Sequence, residues 1–210
     1  MVILSITYLP PIEYLLAFLK ADYVCIEYHE NFVKQSYRNR CFIPTANGLL
    51  PLSIPVMKNK QHNCPISQVQ IDYKQSWQRT HWRAIETAYN TSPFFLYYRD
   101  YFEVFYTQQN TDSLFEYNLQ LFNLILRLFG IEKQYTLTSE YIDLYGNGIT
   151  DLRQTIRPKK EDKDCRSVFF TPYRQVFSDR LGFIANTSCI DLLFNEGKFA
   201  KDYLVQEIEK

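Results

Sequence analysis

Residues 2–28, VILSITYLPPIEYLLAFLKADYVCIEY, contain the pattern that decides the fold of this chain. Residues 2–7 and 22–28 are rich in apolar and β-branched side chains, which predicts two buried strands. Between them, Pro11 fits the first turn of a helix that extends to about Lys20, because that turn does not need the missing N–H. A strand, a helix and a strand form a βαβ unit, whose strands are parallel neighbours joined by a right-handed crossover.

A hairpin is predicted directly after this unit. Residues 40–44 and 50–56 are two strand-like runs, and Asn47 and Gly48 lie between them. Asn-Gly between such runs is a strong signal for a tight turn. Proline lacks the N–H that a central strand donates, so the prolines in both runs predict a hairpin at the edge of the sheet.

The middle of the chain is dominated by apolar residues at helical spacing. This spacing predicts helices over residues 74–90, 94–106 and 113–129. Ser113 and Glu116 have the spacing of a capping box at the start of the last helix. The whole pattern predicts an α/β fold, in which a mixed sheet is started by the βαβ unit, has an edge hairpin and is covered by several helices. We expect a single domain over residues 1–205.

Composition and charge exclude several classes of partner. The formal net charge is zero, so no general binding to nucleic acid is expected. No apolar run approaches the ~18 residues of a transmembrane helix, so no membrane insertion is expected. Residues 1–7 are too short for a signal peptide, and the scattered cysteines contain no CxxC motif. We therefore expect a cytoplasmic protein.

No metal or cofactor motif is visible. The six glycines form neither a GxGxxG nor a GxxxxGK[ST] motif, which argues against a Gly-rich phosphate loop. A zinc site needs clustered ligands, and His29, His62 and His81 do not have metal-binding spacing. The sequence identifies no cofactor and leaves the oligomeric state open. The densely charged residues 157–166 predict an exposed, mobile loop.

The polar residues 27–40, directly after the second predicted strand, contain the main candidates for ligand binding. Arginine offers a planar fork that matches phosphate or carboxylate, so clustered cations here predict a site for an anionic ligand. The alternative is that these cations pair with Glu27 and Glu30. Arg38→Ala is expected to weaken ligand binding much more than it changes stability. The candidate binding residues in this stretch are Lys34, Arg38, Asn39 and Arg40.

The histidines are candidates for acid–base chemistry. His29 and Glu30 are a possible acid–base pair, since a carboxylate can orient an imidazole, although a surface histidine is the alternative. His81 lies on the same helical stripe as Trp77, where a hydrogen-bonded core residue is the alternative to a base. Trp77 and Trp82 could line the wall of a cleft and stack on a sugar.

An ordered set of motifs carries a resemblance to a known family. These motifs are Tyr8-Leu9-Pro10-Pro11, Glu30, Lys34, Arg38-Asn39-Arg40, Asn47-Gly48, Leu52-Ser53-Ile54-Pro55-Val56, Trp77 with His81, and Ser92-Pro93-Phe94-Phe95. Together they resemble the WbqC-like proteins. Residues 173–177, 182–186 and 191–197 resemble the end of one branch of that family. Many members open with Gln-Pro-Tyr, whereas Ser5-Ile6-Thr7-Tyr8 stands at this place here.

The resemblance implies a cytoplasmic bacterial protein associated with surface-polysaccharide synthesis. It implies transfer of an acyl or aminoacyl group to an amino sugar that is nucleotide-linked or otherwise anionic. The alternatives are a non-catalytic binding protein for an anionic sugar or nucleotide ligand, and a structural partner with an aromatic interface. We expect the cleft at the carboxyl ends of the first two strands. Tyr8 and the two tryptophans would form its aromatic walls, with His29 or His81 as base.

Overall fold

The computed structural model of the protein describes residues 1–58, 64–158 and 170–210. The charged residues 157–166, predicted to be mobile, lie mostly outside these ranges. The strands and helices are β1 (Val2–Ser5), α1 (Ile12–Lys20), β2 (Val24–Glu27), β3 (Arg40–Thr45), β4 (Gly48–Ser53), α2 (Trp77–Tyr89), α3 (Phe95–Thr107), α4 (Leu114–Leu128), β5 (Thr136–Leu137), β6 (Thr150–Asp151), α5 (Ser178–Leu181), α6 (Cys189–Glu196) and α7 (Ala200–Ile208). Short 3-10 helices lie at Ile66–Gln68 and Gly197–Phe199.

The βαβ unit forms the centre of a parallel sheet. β1 pairs with β2 in parallel, with Val2 opposite Val24 and Ser5 opposite Glu27, and α1 connects them. The prediction of two adjacent parallel strands is therefore confirmed. The sheet order is β5-β2-β1-β6, so two short strands from the second half of the chain flank the unit on either side. This order brings the carboxyl ends of β1, β2 and β6 to one edge.

The predicted hairpin is present and forms a second sheet with two strands. β3 and β4 are antiparallel, with Thr45 opposite Gly48 at the turn, where Gly48 has a φ of 102°. The sequence predicted this hairpin at the edge of the main sheet, whereas among the described residues its two strands pair only with each other. The prolines explain this arrangement, because Pro44 and Pro51 have no N–H to donate to a further strand.

The start of α1 is completed by a distant part of the chain. Pro11 precedes the helix and provides no side-chain cap. Instead, Asn186 Oδ1 accepts a hydrogen bond from Glu13 N at 3.0 Å, and the Thr187 carbonyl accepts one from Ile12 N at 3.2 Å. These bonds satisfy two N–H groups that a helix N-terminus leaves unpaired. The segment before α6 is thereby fixed against the βαβ unit.

In the described part of the chain, an apolar core rich in aromatic rings extends from Leu4 to Leu204. Phe122 of α4, for example, meets Tyr14 and Phe18 of α1 edge-on, with ring centroids 5.7 and 5.2 Å apart. Such edge-to-face pairs add stability beyond the buried area alone. In the described ranges no helix combines the length and the apolar character that crossing a bilayer requires.

The capping interaction of α4 yields a stability prediction. Ser113 Oγ accepts a hydrogen bond from Glu116 N at 3.3 Å, which is one half of the predicted capping box, whereas Ser113 N donates to Thr111 Oγ1 at 3.1 Å. Ser113→Ala removes this cap and should lower the free energy of unfolding by about 1 kcal/mol. Urea denaturation at neutral pH measures the loss. Ser76→Ala is the matched control, because Ser76 precedes α2 without a side-chain cap bond. Equal losses in the two variants would contradict this account.

Candidate functional site

Four charged side chains are buried together at the carboxyl edge of the parallel sheet. Glu27, Glu30, Arg38 and Arg153 are each at most 3% exposed. Glu27 is the last residue of β2, and Arg153 follows β6. Ligands of parallel α/β sheets bind at this edge, because the loops that leave the strands converge there. We call these four residues the charged network.

Arg38 and Glu30 form the inner half of the charged network. Arg38 Nε donates to Glu30 Oε1 at 2.8 Å, and Arg38 Nη2 donates to the other carboxylate oxygen. Arg38 Nη2 also donates to Ser5 Oγ at 2.8 Å, and this hydroxyl donates to Glu30 Oε2 at 3.0 Å. Asn118 of α4 donates to the Arg38 carbonyl at 2.7 Å. The end of β1, the loop after β2 and α4 are therefore joined at one ion pair.

Arg153 forms the outer half of the charged network. Its Nη1 donates to Glu27 Oε2 at 2.8 Å, and its Nε donates to Asp151 Oδ1 at 2.9 Å. Its Nη2 donates to Asp151 Oδ2 at 2.6 Å and to the Ile142 carbonyl at 2.7 Å. One guanidinium thus connects β2, β6 and the loop between β5 and β6.

Two tyrosines from that loop cover the outer half. The Arg153 guanidinium lies 4.8 Å from the ring centroid of Tyr141 and 5.1 Å from that of Tyr145. Tyr141 is 46% exposed, so its ring also presents surface to solvent. Cation–π contact with Arg153 fixes these rings above the charged network. We call Tyr141 and Tyr145 the aromatic lip.

The electrostatics distinguish the carboxylates. Burial raises the pKa of Glu30 above its usual range, although Arg38 opposes the rise. Burial also acts to raise the pKa of Asp151, but hydrogen bonds from Arg153 outweigh it and lower that pKa. A carboxylate with a raised pKa is a better general base near neutral pH.

Among the described residues, no three or more His, Cys, Asp or Glu side chains are grouped so that they could hold a metal ion.

The structure brings together only some of the predicted binding residues. Arg38 and Glu30 meet in the charged network. Lys34 lies exposed in a turn, and Arg40 of β3 donates from Nε to Ser53 Oγ at 2.8 Å. Asn39 donates to the Ile54 carbonyl at 3.0 Å, which fastens the loop to the hairpin. The three predicted cations therefore have three different environments.

His29 lies beside the charged network. Its backbone N donates to Glu27 Oε1 at 2.8 Å, and its half-buried ring meets Tyr28 edge-on at 5.0 Å. Thr138, at the start of the loop that carries the aromatic lip, donates to the same Glu27 oxygen at 2.6 Å. His29 is thus the predicted base that lies nearest to solvent at this edge.

The other predicted site residues, Tyr8, Trp77, His81 and Trp82, lie in the aromatic core. Tyr8 Oη lies 3.0 Å from His81 Nδ1 and 2.8 Å from Tyr106 Oη. Trp77 contacts the His81 ring, and Trp82 stacks on Tyr106. Burial lowers the pKa of the His81 imidazole to about 4, so this histidine is neutral at pH 7. At the carboxyl edge, Tyr141 of the aromatic lip presents an exposed aromatic face.

Sequence reasoning missed Ser5, Asp151, Arg153 and the aromatic lip. The sequence contained a signal for two of these residues. Asp151 and Arg153 are two residues apart, and residues at this spacing point to the same side of a strand, although in the structure Arg153 lies in the turn after β6. The pairing of Arg153 with Glu27, in contrast, joins residues 126 positions apart and leaves no local pattern.

These elements define an α/β protein with a buried charged network at the carboxyl edge of its parallel sheet. Residues 6–162 match the WbqC-like protein family, and the chain belongs to this family. It is similar to the uncharacterized protein Rv1507c of Mycobacterium tuberculosis, with 26% identity over 196 residues that cover 82% of this chain and 83% of the relative. No solved structure matches. The family match ends before residue 173, so the resemblance of the C-terminal segments stays a prediction.

The buried ion pair changes what is expected of Arg38→Ala. Removal of Arg38 leaves the Glu30 carboxylate buried without its cation, which should lower the free energy of unfolding by about 3–5 kcal/mol at pH 7. The loss should shrink at acidic pH, where Glu30 takes up a proton. Urea denaturation at both pH values measures it. Lys34→Ala is the control, since an exposed lysine should change stability by less than about 0.5 kcal/mol. Similar, small losses in both variants would contradict the pairing.

The buried histidine predicts a pH dependence of stability. An imidazole in the unfolded chain titrates near 6.5, whereas folded His81 titrates near 4. Between these values the unfolded state binds more protons, so stability should fall as the pH falls, by roughly 3 kcal/mol in all. Unfolding free energies between pH 7 and pH 4 measure the fall. In His81→Gln this contribution should disappear, and an unchanged pH profile in that variant would refute it.

Proposed function

We propose that this protein is a group-transfer enzyme that carries an acyl or aminoacyl group to the amino group of a sugar. The charged network under the aromatic lip is the observation that supports this proposal most directly. Burying charges costs several kcal/mol per ion, and a buried ion pair is often no more stable than apolar residues of the same size. Charges that are nevertheless buried at a ligand-binding edge suit a preorganised site.

The residues of this site suggest a division of roles. The aromatic lip offers ring faces on which a sugar can stack, while polar groups beneath can fix its orientation. Arg38 and Arg153 supply positive charge for the carbonyl oxygen of the transferred group. Glu30 accepts the proton that the sugar amine loses as its nitrogen bonds to the acyl carbon, and this proton then passes to the leaving group. His29 is the second candidate for this base.

The substrate that we propose is a nucleotide-linked or otherwise anionic amino sugar. Lys34 is exposed and Arg40 is half-buried near the loop after β2, so both can meet an anionic group outside the charged network. Arginine and lysine are the usual partners of phosphate in such sites. Surface-polysaccharide synthesis in a bacterial cytoplasm is the setting that we propose, on the strength of the family resemblance.

A non-catalytic binding protein is the second candidate function. Both oxygens of Glu30 already accept hydrogen bonds from Arg38, and Ser5 adds another. A carboxylate held so firmly can orient a ligand without exchanging protons with it. The same edge of the sheet and the same aromatic lip would then serve recognition alone.

A transfer assay separates these two functions. Nucleotide-linked amino sugars with a free amine are incubated with acyl-coenzyme A or aminoacyl-tRNA donors, and mass spectrometry detects the amide product. We expect product with at least one pair, and Glu30→Gln should lower its rate by about a hundredfold or more. Glu140→Gln is the matched control, because Glu140 is an exposed carboxylate in the loop of the aromatic lip.

Saturable binding of an amino sugar without product from any donor would favour the binding protein over the enzyme. Calorimetry with the same sugars provides that measurement. Absence of both binding and product would refute the two candidate functions together.

A further inference from the structure

We propose that Ser5 is the catalytic nucleophile of the transfer and carries the acyl group as a covalent ester intermediate. This inference rests on the proposed function and adds a second step to it. Ser5 is the last residue of β1, which is the first strand of the βαβ unit and an inner strand of the parallel sheet. It therefore lies at the carboxyl edge of the sheet, on a rigid element rather than on a loop.

Ser5 is 6% exposed, and its contacts place a carboxylate base next to its hydroxyl. Its Oγ donates to Glu30 Oε2 at 3.0 Å, within the range expected between a nucleophile and its base. The Arg153 carbonyl is a longer alternative acceptor at 3.4 Å. Only the carboxylate can act as a base, because a backbone carbonyl accepts a hydrogen bond without taking up the hydroxyl proton.

Arg38 completes this constellation. Its two hydrogen bonds to Glu30 hold the carboxylate in one orientation, as the third member of a nucleophile–base–orienting group does in other hydroxyl-based enzymes. Its Nη2 also donates to Ser5 Oγ at 2.8 Å, which stabilises the negative charge that develops on this oxygen as it loses its proton. Burial raises the pKa of Glu30 and makes it a stronger base toward the hydroxyl.

The first half of the reaction acylates the enzyme. Ser5 Oγ attacks the carbonyl carbon of an acyl thioester or activated ester, and its proton moves to Glu30. The new Oγ–C bond forms as the bond from carbon to the leaving group breaks, and Glu30 returns the proton to that group. In the second half, the sugar amine attacks the ester carbon and loses a proton to Glu30. The C–Oγ bond breaks, and the proton returns to Ser5.

Acylation by p-nitrophenyl acetate tests the nucleophile without knowledge of the natural donor. The wild-type protein should release p-nitrophenolate in a stoichiometric burst and gain one acetyl group, which peptide mapping should place on Ser5. Ser5→Ala should abolish both signals, and Glu30→Gln should slow acylation by about a hundredfold. Ser5→Cys should restore acylation as a thioester. Ser92→Ala is the matched control, since Ser92 is a buried serine that donates only to a backbone carbonyl.

The outcomes separate this inference from the proposed function. Amide formation that persists in Ser5→Ala, without an acetyl group on Ser5 in the wild type, would overturn the nucleophile and leave direct transfer standing. Acetylation of His29 or of lysines alone would also overturn it. Acetylation of Ser5 without any sugar product would support the nucleophile and refute transfer to sugars. Circular dichroism of each variant verifies that the fold is intact, and mapping on the wild type does not depend on any variant.

Discussion

The ion pair between Arg38 and Glu30 is the constraint on which the rest of the structure depends. Each partner, removed from water alone, would cost several kcal/mol, so neither can be buried without the other. Their pairing fixes the loop after β2 against the end of β1, and Asn118 ties the same loop to α4. The hairpin follows directly from this loop, and its position is set by Asn39. Sheet, hairpin and helical layer thus share one point of attachment.

Arg153 differs from Arg38, because its contacts extend to the loop between β5 and β6. The same guanidinium that neutralises Glu27 and Asp151 also binds the Ile142 carbonyl and two tyrosine rings. The aromatic lip is therefore held by electrostatics and cation–π contact rather than by an apolar core. Buried charges beside a partly exposed aromatic ring offer a polar ring both orienting groups and a stacking face.

Local patterns in the sequence predicted the parts of the fold that local physics determines. The βαβ unit, the Asn-Gly turn and the Ser113 cap each depend on residues close in the chain. The separate hairpin sheet and the short flanking strand β6 depend on long-range packing, which no window of sequence contains. In the candidate site, the stretch after β2 identified Glu30 and Arg38. The sequence left the burial of His81 and the tryptophans open, because an aromatic stripe on a helix is usually part of a core but can also line a cleft. Arg153 lay too far from Glu27 in sequence to be paired with it.

The way in which α1 is capped has a consequence for synthesis on the ribosome. The first helix obtains its N-terminal hydrogen bonds from Asn186 and Thr187, and β1 obtains its outer neighbour from β6. At roughly 5–20 residues per second, these partners leave the exit tunnel seconds to tens of seconds after the βαβ unit. During that interval the unit has an unpaired strand edge and an uncovered apolar helix face. Until residues 150–187 have emerged, the βαβ unit therefore exposes the kind of apolar surface and strand edge that makes folding intermediates prone to aggregate.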